Sequence, residues 1–187
     1  MSGNLFWKLL ESEHPKAEAF SRKLAGNRED GDDLYQDALV KAWRKFDNLR
    51  DVDSFRPWLY RIIVNMYKSR RRMRWLKSRV NLSRDSFENA ESYDPSSKYA
   101  ARLWLERAFR SLSADQKALI GLFELEGWSI TDLARMYGKP EGTIKSRLSR
   151  ARGKMRAELA LYFPDGKEVN LNKEADYALP RSKTSTE

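Results

Sequence analysis

The sequence predicts an all-α protein of two small helical domains joined by a flexible linker. Three observations carry that expectation. No segment sustains the alternation of apolar and polar residues that a half-buried strand requires. Apolar residues are instead spaced for helices, as in PEGTIKSRLSRARGKMR (140–156), where Ile144, Leu148, Ala151 and Met155 fall four, three and four apart on one stripe. Finally, the stretch VNLSRDSFENAESYDPSS, between about Leu76 and Ser97, is rich in Ser, Asn and Asp and contains Pro95, the signature of a connecting segment. The chain of 187 residues suffices for one or two modest cores. We divide it into an N-terminal domain (1–76), a linker (77–97), a C-terminal domain (98–163) and a polar tail (164–187) that is expected to be mobile.

Helices are expected at about 4–13, 15–26, 31–46, 54–74, 98–111, 115–126, 129–137 and 141–162. In 31–46, Asp32 and Asp33 suit the positive end of a helix dipole, and Leu34, Tyr35, Ala38, Leu39, Ala42, Trp43 and Phe46 make one broad face to bury. Gln36, Asp37, Val40, Lys41 and Arg44 lie opposite. In 54–74 the polar residues Arg61, Asn65, Lys68 and Arg72 line one face, with Leu59, Ile62, Ile63 and Met66 on the other. Trp58, Tyr60, Tyr67 and Trp75 are interleaved with that charge, and Trp58 is expected in the core. Ser129 is placed as an N-cap, Gly138 as a helix terminator and Pro140 as the start of the last helix.

Charge distribution narrows the partners. The net charge is +9, but residues 1–55 hold nine basic and eleven acidic side chains, whereas 56–79 hold nine basic and none acidic. Residues 80–130 are slightly acidic again, and 131–156 hold eight basic against two acidic. A solvated face usually mixes both signs, so two separated cationic blocks point to two contacts on one long polyanion. The absence of Cys excludes disulfides, thiolate zinc sites and a thiol nucleophile, and the single His14 cannot build a metal site or a catalytic pair alone. No cofactor is expected. The longest uncharged run, Met1 to Trp7, is far short of the roughly 20 residues that cross a bilayer, so a cytoplasmic protein without membrane insertion is expected.

GWSITDLARMYGKPEGTIKSRLSRAR reads as helix, tight turn, helix, with Ile130, Leu133 and Ala134 inward and Leu112, Leu119, Ile120, Leu122, Phe123 and Leu125 supplying support from the preceding helix. In a helix-turn-helix the second helix enters the major groove with its N-terminal residues at base edges. Glu141, Thr143, Lys145, Ser146, Ser149 and Arg150 are the base-facing candidates, and Arg147, Arg152 and Lys154 suit phosphates. The cationic face of 54–74 suits single-stranded DNA, where cations track phosphates. A 20-residue linker reaches at most ~70 Å, and a duplex turn is ~34–36 Å, so both domains can hold one duplex about two turns apart.

LSADQKALIGLFELEGWSITDLARMYGKPEGTIKSRLSRARGKMR resembles region 4 of the extracytoplasmic-function (ECF) bacterial sigma factors, where P-x-G-T-h-K-S-R-h-x-R-A-R marks the helix that reads the minus thirty-five element. Asp132 and Tyr137 depart from the usual Glu and Leu without touching the expected reading face. DGDDLYQDALVKAWRKFDNLRDVDSFRPWLYRIIVNMYKSRRRM is similar to region 2, through D-L-x-Q-[DE] and S-F-x-x-W-L-[FY]-R-I-x-x-N. The two motifs stand in family order over most of the chain.

That resemblance implies a non-enzymatic factor that gives core RNA polymerase its promoter specificity and supports strand opening. Asp33, Gln36, Asp37, Val40 and Arg44 become candidates for the dock on the clamp of the largest subunit, with the flap of the second subunit as a further contact. A flipped base of the melted minus ten element would be captured by the loop residues Asn48, Leu49, Arg50 and Asp51 beside Arg61, Asn65, Lys68 and Arg72. An anti-sigma factor is a further implied partner. Two other readings remain at this point: an autonomous helix-turn-helix regulator, and a nucleic-acid enzyme, which the absence of a phosphate-binding loop or a Cys/His cluster disfavours.

Overall fold

The computed structural model describes residues 2–80 and 98–161, with side chains over 4–76 and 103–161. Every regular element among the described residues is helical. The proposed tail and most of the linker lie outside them.

Helix α1 is one rod, Ser2–Ala25, with Pro15 inside it, which corrects the break expected near His14. A proline inside a helix removes one hydrogen bond and crowds the preceding turn, at about 3 kcal/mol. The buried residues Phe6, Leu10, Ala17, Phe20 and Leu24 nevertheless keep helical phase on both sides of it. Burying that single stripe along a neighbouring helix outweighs the local cost.

The neighbour, α2 (Arg28–Lys45), starts three residues before its expected position because Asn27 caps it, accepting the Asp30 backbone N–H at 2.8 Å. Gly31 allows the two rods to meet closely: a Cβ there would stand 2.4 Å from the Arg22 Cα. Arg22 pairs with Asp32 at 2.5 Å, and the His14 Nδ1 and Tyr35 hydroxyl are hydrogen-bonded at 2.6 Å. Leu34, Tyr35, Ala38, Ala42 and Phe46 are buried as expected. Trp43 is not: it is 45% exposed and stacks on Trp7 at 5.6 Å, at the rim rather than in the core.

Two short 3-10 turns, Phe46–Asn48 and Val52–Ser54, lead into α3 (Phe55–Val80), which runs beyond the expected end at 74. Phe55, Leu59, Ile62 and Ile63 are buried; Trp58 is half-buried against Phe46 and Phe55.

In the C-terminal unit, α4 (Lys98–Ser111) packs on α7 (Glu141–Ala160). Between them come α5 (Ala114–Ile120), opened by a capping box of Ser113 and Gln116, a π-helical turn (Gly121–Leu125), and α6 (Ile130–Tyr137). The wider π turn changes the phase of the chain, so Leu122 is buried while Leu125 is 41% exposed, against expectation. Ser129 caps α6 through the Asp132 N–H, and Gly138 ends it at φ +60°, a left-handed conformation that glycine adopts without penalty.

The two units are packed together. Phe20, Tyr60 and Trp128 form a continuous aromatic seam, with ring centroids 5.3 and 5.0 Å apart, and the Arg56 guanidinium lies 4.5 Å over Trp128. Gly121 fits beside Phe20, where a Cβ would be 3.2 Å from the ring.

Candidate nucleic-acid and polymerase interfaces

The first surface is built by α7. Its stripe Ile144, Leu148, Ala151, Met155 and Leu159 is buried against the rest of the C-terminal unit, which leaves Glu141, Lys145, Ser146, Ser149 and Arg150 exposed along the outer face. Thr143 and Arg147 are half-buried at its flanks. The face is partly pre-ordered: Ser146 donates to the Thr143 carbonyl at 3.0 Å, Arg150 Nε to the Ser146 carbonyl at 3.3 Å, and Thr131 to Glu141 at 2.7 Å. Arg152 is turned aside, held by Glu124 at 2.5 Å and lying 5.2 Å from the Phe123 ring. Gly138 ends α6 in a left-handed conformation and Pro140 precedes α7, the helix, turn, helix order of motifs whose second helix enters a major groove.

The second surface joins the loop before α3 to the α3 cations. Asn48, Arg50 and Asp51 are exposed and Leu49 is half-buried. Asp51 also closes the loop, accepting the Ser54 hydroxyl at 2.7 Å and the Asp53 N–H at 3.0 Å. These bonds, the hydroxyl first, hold its carboxyl below the usual carboxylate range, with a further contribution from the nearby Arg135 charge. Arg61, Asn65 and Arg72 are exposed and Lys68 half-buried, on one side of α3 as the spacing implied. Two of them are already engaged. Arg61 donates to the Met136 and Arg135 carbonyls at 2.5 and 3.1 Å, and Lys68 pairs with Asp115 at 2.8 Å.

The third surface is the outer face of α2. Asp33, Gln36, Asp37, Val40 and Arg44 are all exposed. Asp37, Val40 and Arg44 line a shallow depression of about 430 Å³ together with Lys41, Lys45 and Met66, and Val40 is 50% exposed among these charges. Asp37 is held by Arg70, which also donates to the Asp33 carbonyl at 3.1 Å, and Arg74 pairs with Asp30 at 2.5 Å. Carboxylates from α2 therefore neutralise part of the cationic block on α3.

Several contributors carry no sequence signal. Lys41 lies on the expected face, but Lys45 and Met66 join the depression only because α2 and α3 cross there. Trp128 and Arg56 meet across 72 residues of chain. Lys117, on α5, is buried with its ammonium 5.6 Å from the Phe109 ring; burial, then repulsion from Arg71 and Arg110, lowers its pKa to about 8. Among the described residues no helix is long and apolar enough to cross a membrane, and no cluster of His, Cys, Asp and Glu could hold a metal.

A helix-turn-helix and a cationic helix with a capped loop, among described residues whose regular elements are all helical, are the parts a two-part DNA-binding protein needs. Comparison with known proteins gives the class: residues 9–77 match the model of sigma-70 region 2 and residues 102–155 that of sigma-70 region 4. The chain is 32% identical over 164 residues to the ECF RNA polymerase sigma factor SigM of Mycobacterium tuberculosis, covering 88% of this chain and 81% of the relative. It is 33% identical over 154 residues to the ECF sigma-E factor of Haemophilus influenzae, at 71% and 79% coverage. Among solved structures it resembles the sigma factor RpoE of Bartonella quintana in complex with the anti-sigma factor NepR, with TM-score 0.64, 32% identity and coverage of 83% and 97%. It also resembles CnrH in complex with the cytosolic domain of CnrY, with TM-score 0.57, 26% identity and coverage of 83% and 88%. The chain belongs to the family of ECF RNA polymerase sigma factors. As such it binds RNA polymerase and recognises promoters, without a reaction of its own. Membership sets aside both the autonomous regulator and the nucleic-acid enzyme.

Proposed function

We propose a division of labour among the three surfaces. The outer face of α7 reads the duplex minus thirty-five element, with Lys145, Ser146, Ser149 and Arg150 at base edges, Glu141 and Thr143 at the first turn, and Arg147 and Arg152 at phosphates. Arg152 reaches a phosphate by leaving Glu124. The loop Asn48, Leu49, Arg50 and Asp51 captures an extruded base of the minus ten element, while Arg61, Asn65, Lys68 and Arg72 follow the separated strand. Unpairing costs a few kcal/mol per base, so binding the extruded base favours the open bubble. Asp33, Gln36, Asp37, Val40 and Arg44 dock on the clamp of the largest polymerase subunit, and the C-terminal unit contacts the flap of the second. The protein works in the cytoplasm, and its likeness to two factors solved with anti-sigma proteins supports such a partner here.

One observation supports the reading most: a fully buried apolar stripe on α7 directly behind an exposed row of Lys, Ser and Arg at the start of that helix. The experiment is promoter binding with and without core polymerase. We expect weak binding by the free protein and strong, sequence-dependent binding by the holoenzyme. Nanomolar promoter binding by the free protein, with no association to polymerase, would defeat it. For the dock, Gln36→Ala with Val40→Asp should weaken polymerase association, and unchanged pull-down of core enzyme would remove that assignment.

A further inference from the structure

The first turns of α6 and α7 are joined by one side-chain hydrogen bond. Thr131, on α6, donates its hydroxyl to Glu141 Oε1 at 2.7 Å, across ten residues of chain. Both residues are exposed, so the bond is no part of the core. It lies at the end of α7 that a helix-turn-helix presents to base edges.

What this bond prevents is as informative as what it makes. Glu141 and Lys145 are four apart on α7 with the acid toward the N-terminus, the order in which such a pair is most favourable. Were they to pair, the lysine would be neutralised on the very face that meets DNA. They do not: Glu141 is turned to Thr131, and the Lys145 ammonium makes no hydrogen bond or ion pair among the described residues. The second carboxylate oxygen, Oε2, has no protein partner there either and is open to an incoming donor.

A carboxylate among cations has a defined use in a major groove. Phosphates repel it, so it does not hold the backbone. Adenine sets its N6 donor beside the N7 acceptor, which a carboxylate also repels, whereas cytosine shows the N4 donor alone. We propose that Glu141 is a specificity-determining residue that accepts from the N4 amino group of a cytosine in the upstream duplex, and that Thr131 is a positioning residue that turns it away from Lys145. This rests on the assignment of α7 to that duplex. The arrangement keeps an acceptor and a donor one turn apart on the same face: Glu141 selects cytosine while Lys145 stays free for a guanine.

The test is binding of reconstituted holoenzyme to a library of duplex upstream elements carrying each base at each position. Wild type should favour cytosine at one position by at least fivefold over the other three bases. Glu141→Gln should move that preference to adenine, since an amide pairs with adenine N6 and N7. Thr131→Val, close in shape but without the hydroxyl, should lower the cytosine preference at least threefold. It should also weaken the guanine preference that Lys145→Ala abolishes, as Glu141 closes on Lys145. Thr131→Ser should restore both, and adding Glu141→Ala to Thr131→Val should restore the guanine preference alone. All three sites are exposed, and the melting temperature checks that each variant folds. Base preferences unchanged by Glu141→Gln overturn the reader. Wild-type preferences in Thr131→Val, or a Thr131→Ser that behaves like Val, overturn the positioning role. The α7 assignment is tested apart, by Ser146→Ala, Ser149→Ala and Arg150→Ala combined. If that variant too keeps every base preference, the assignment fails; if it loses them while Glu141→Gln does not, only the role of Glu141 falls.

Discussion

Adding one methyl group at Gly31 should destabilise the N-terminal unit, although the same change in most helices does the reverse. A Cβ at Gly31 would stand 2.4 Å from the Cα of Arg22 and 2.8 Å from its backbone N and Cγ. Carbon contacts settle near 3.5–4.0 Å, so the α1 and α2 backbones must part by roughly 1 Å. Overpacking of this kind costs about 1–3 kcal/mol. Against it stands the gain in helix propensity from Gly to Ala, about 1 kcal/mol. The obstruction is backbone and not the end of a flexible side chain, so the upper part of the overpacking range applies and a net loss of about 1–2 kcal/mol results. Gly153→Ala is the matched control: it lies on exposed helix with nothing within 4 Å of the added Cβ. It should gain about 0.5–1 kcal/mol. Urea denaturation followed by circular dichroism compares the two, and the midpoints should move in opposite directions. A midpoint raised by Gly31→Ala would refute the close approach of the two rods.

Two further outcomes follow from the same geometry. Arg150→Ala should relax discrimination at one base pair of the upstream element, worth about 1–3 kcal/mol; equal loss on every promoter sequence would reassign Arg150 to a phosphate. Lys117→Met should raise the melting temperature and flatten its pH dependence. The folded pKa of Lys117 is about 8, whereas an unfolded lysine titrates near 10.4. The unfolded chain therefore holds more protons between those values, so wild-type stability should rise as pH increases from about 8 to about 10.4. A melting temperature independent of pH across that window in the wild type would show that the ammonium is solvated.

The periodic parts of this fold could be read from the chain. The α7 stripe, the Ser129 cap and the Gly138 terminator stand where spacing placed them, because each depends on residues within one or two turns of one another. The polar rows of α2 and α3 were legible for the same reason. What failed depended on a neighbour. Pro15 marks a break by local rules, and only the continuous burial of α1 against α2 keeps the helix whole. Trp43 has the phase of a core residue but lies where α1 offers Trp7 rather than cover. The nine cations of 56–79 mark a polyanion-binding chain correctly, but nothing in their spacing shows that Arg70, Arg74 and Lys68 also hold Asp37, Asp30 and Asp115 within the fold. The seam of Arg61, Tyr60 and Trp128 joins residues more than 60 positions apart, a pairing for which local periodicity has no signal.

Those internal carboxylates alter how the protein should respond to electrolyte. A duplex releases about one condensed counterion for each phosphate a protein neutralises, which sets the slope of binding against ionic strength. On the proposed assignment, Lys68 leaves Asp115 to meet a phosphate, and the vacated carboxylate draws in cations that offset part of what the nucleic acid gives up. Promoter occupancy should therefore fall with added potassium chloride more gently than the number of basic residues in contact would imply.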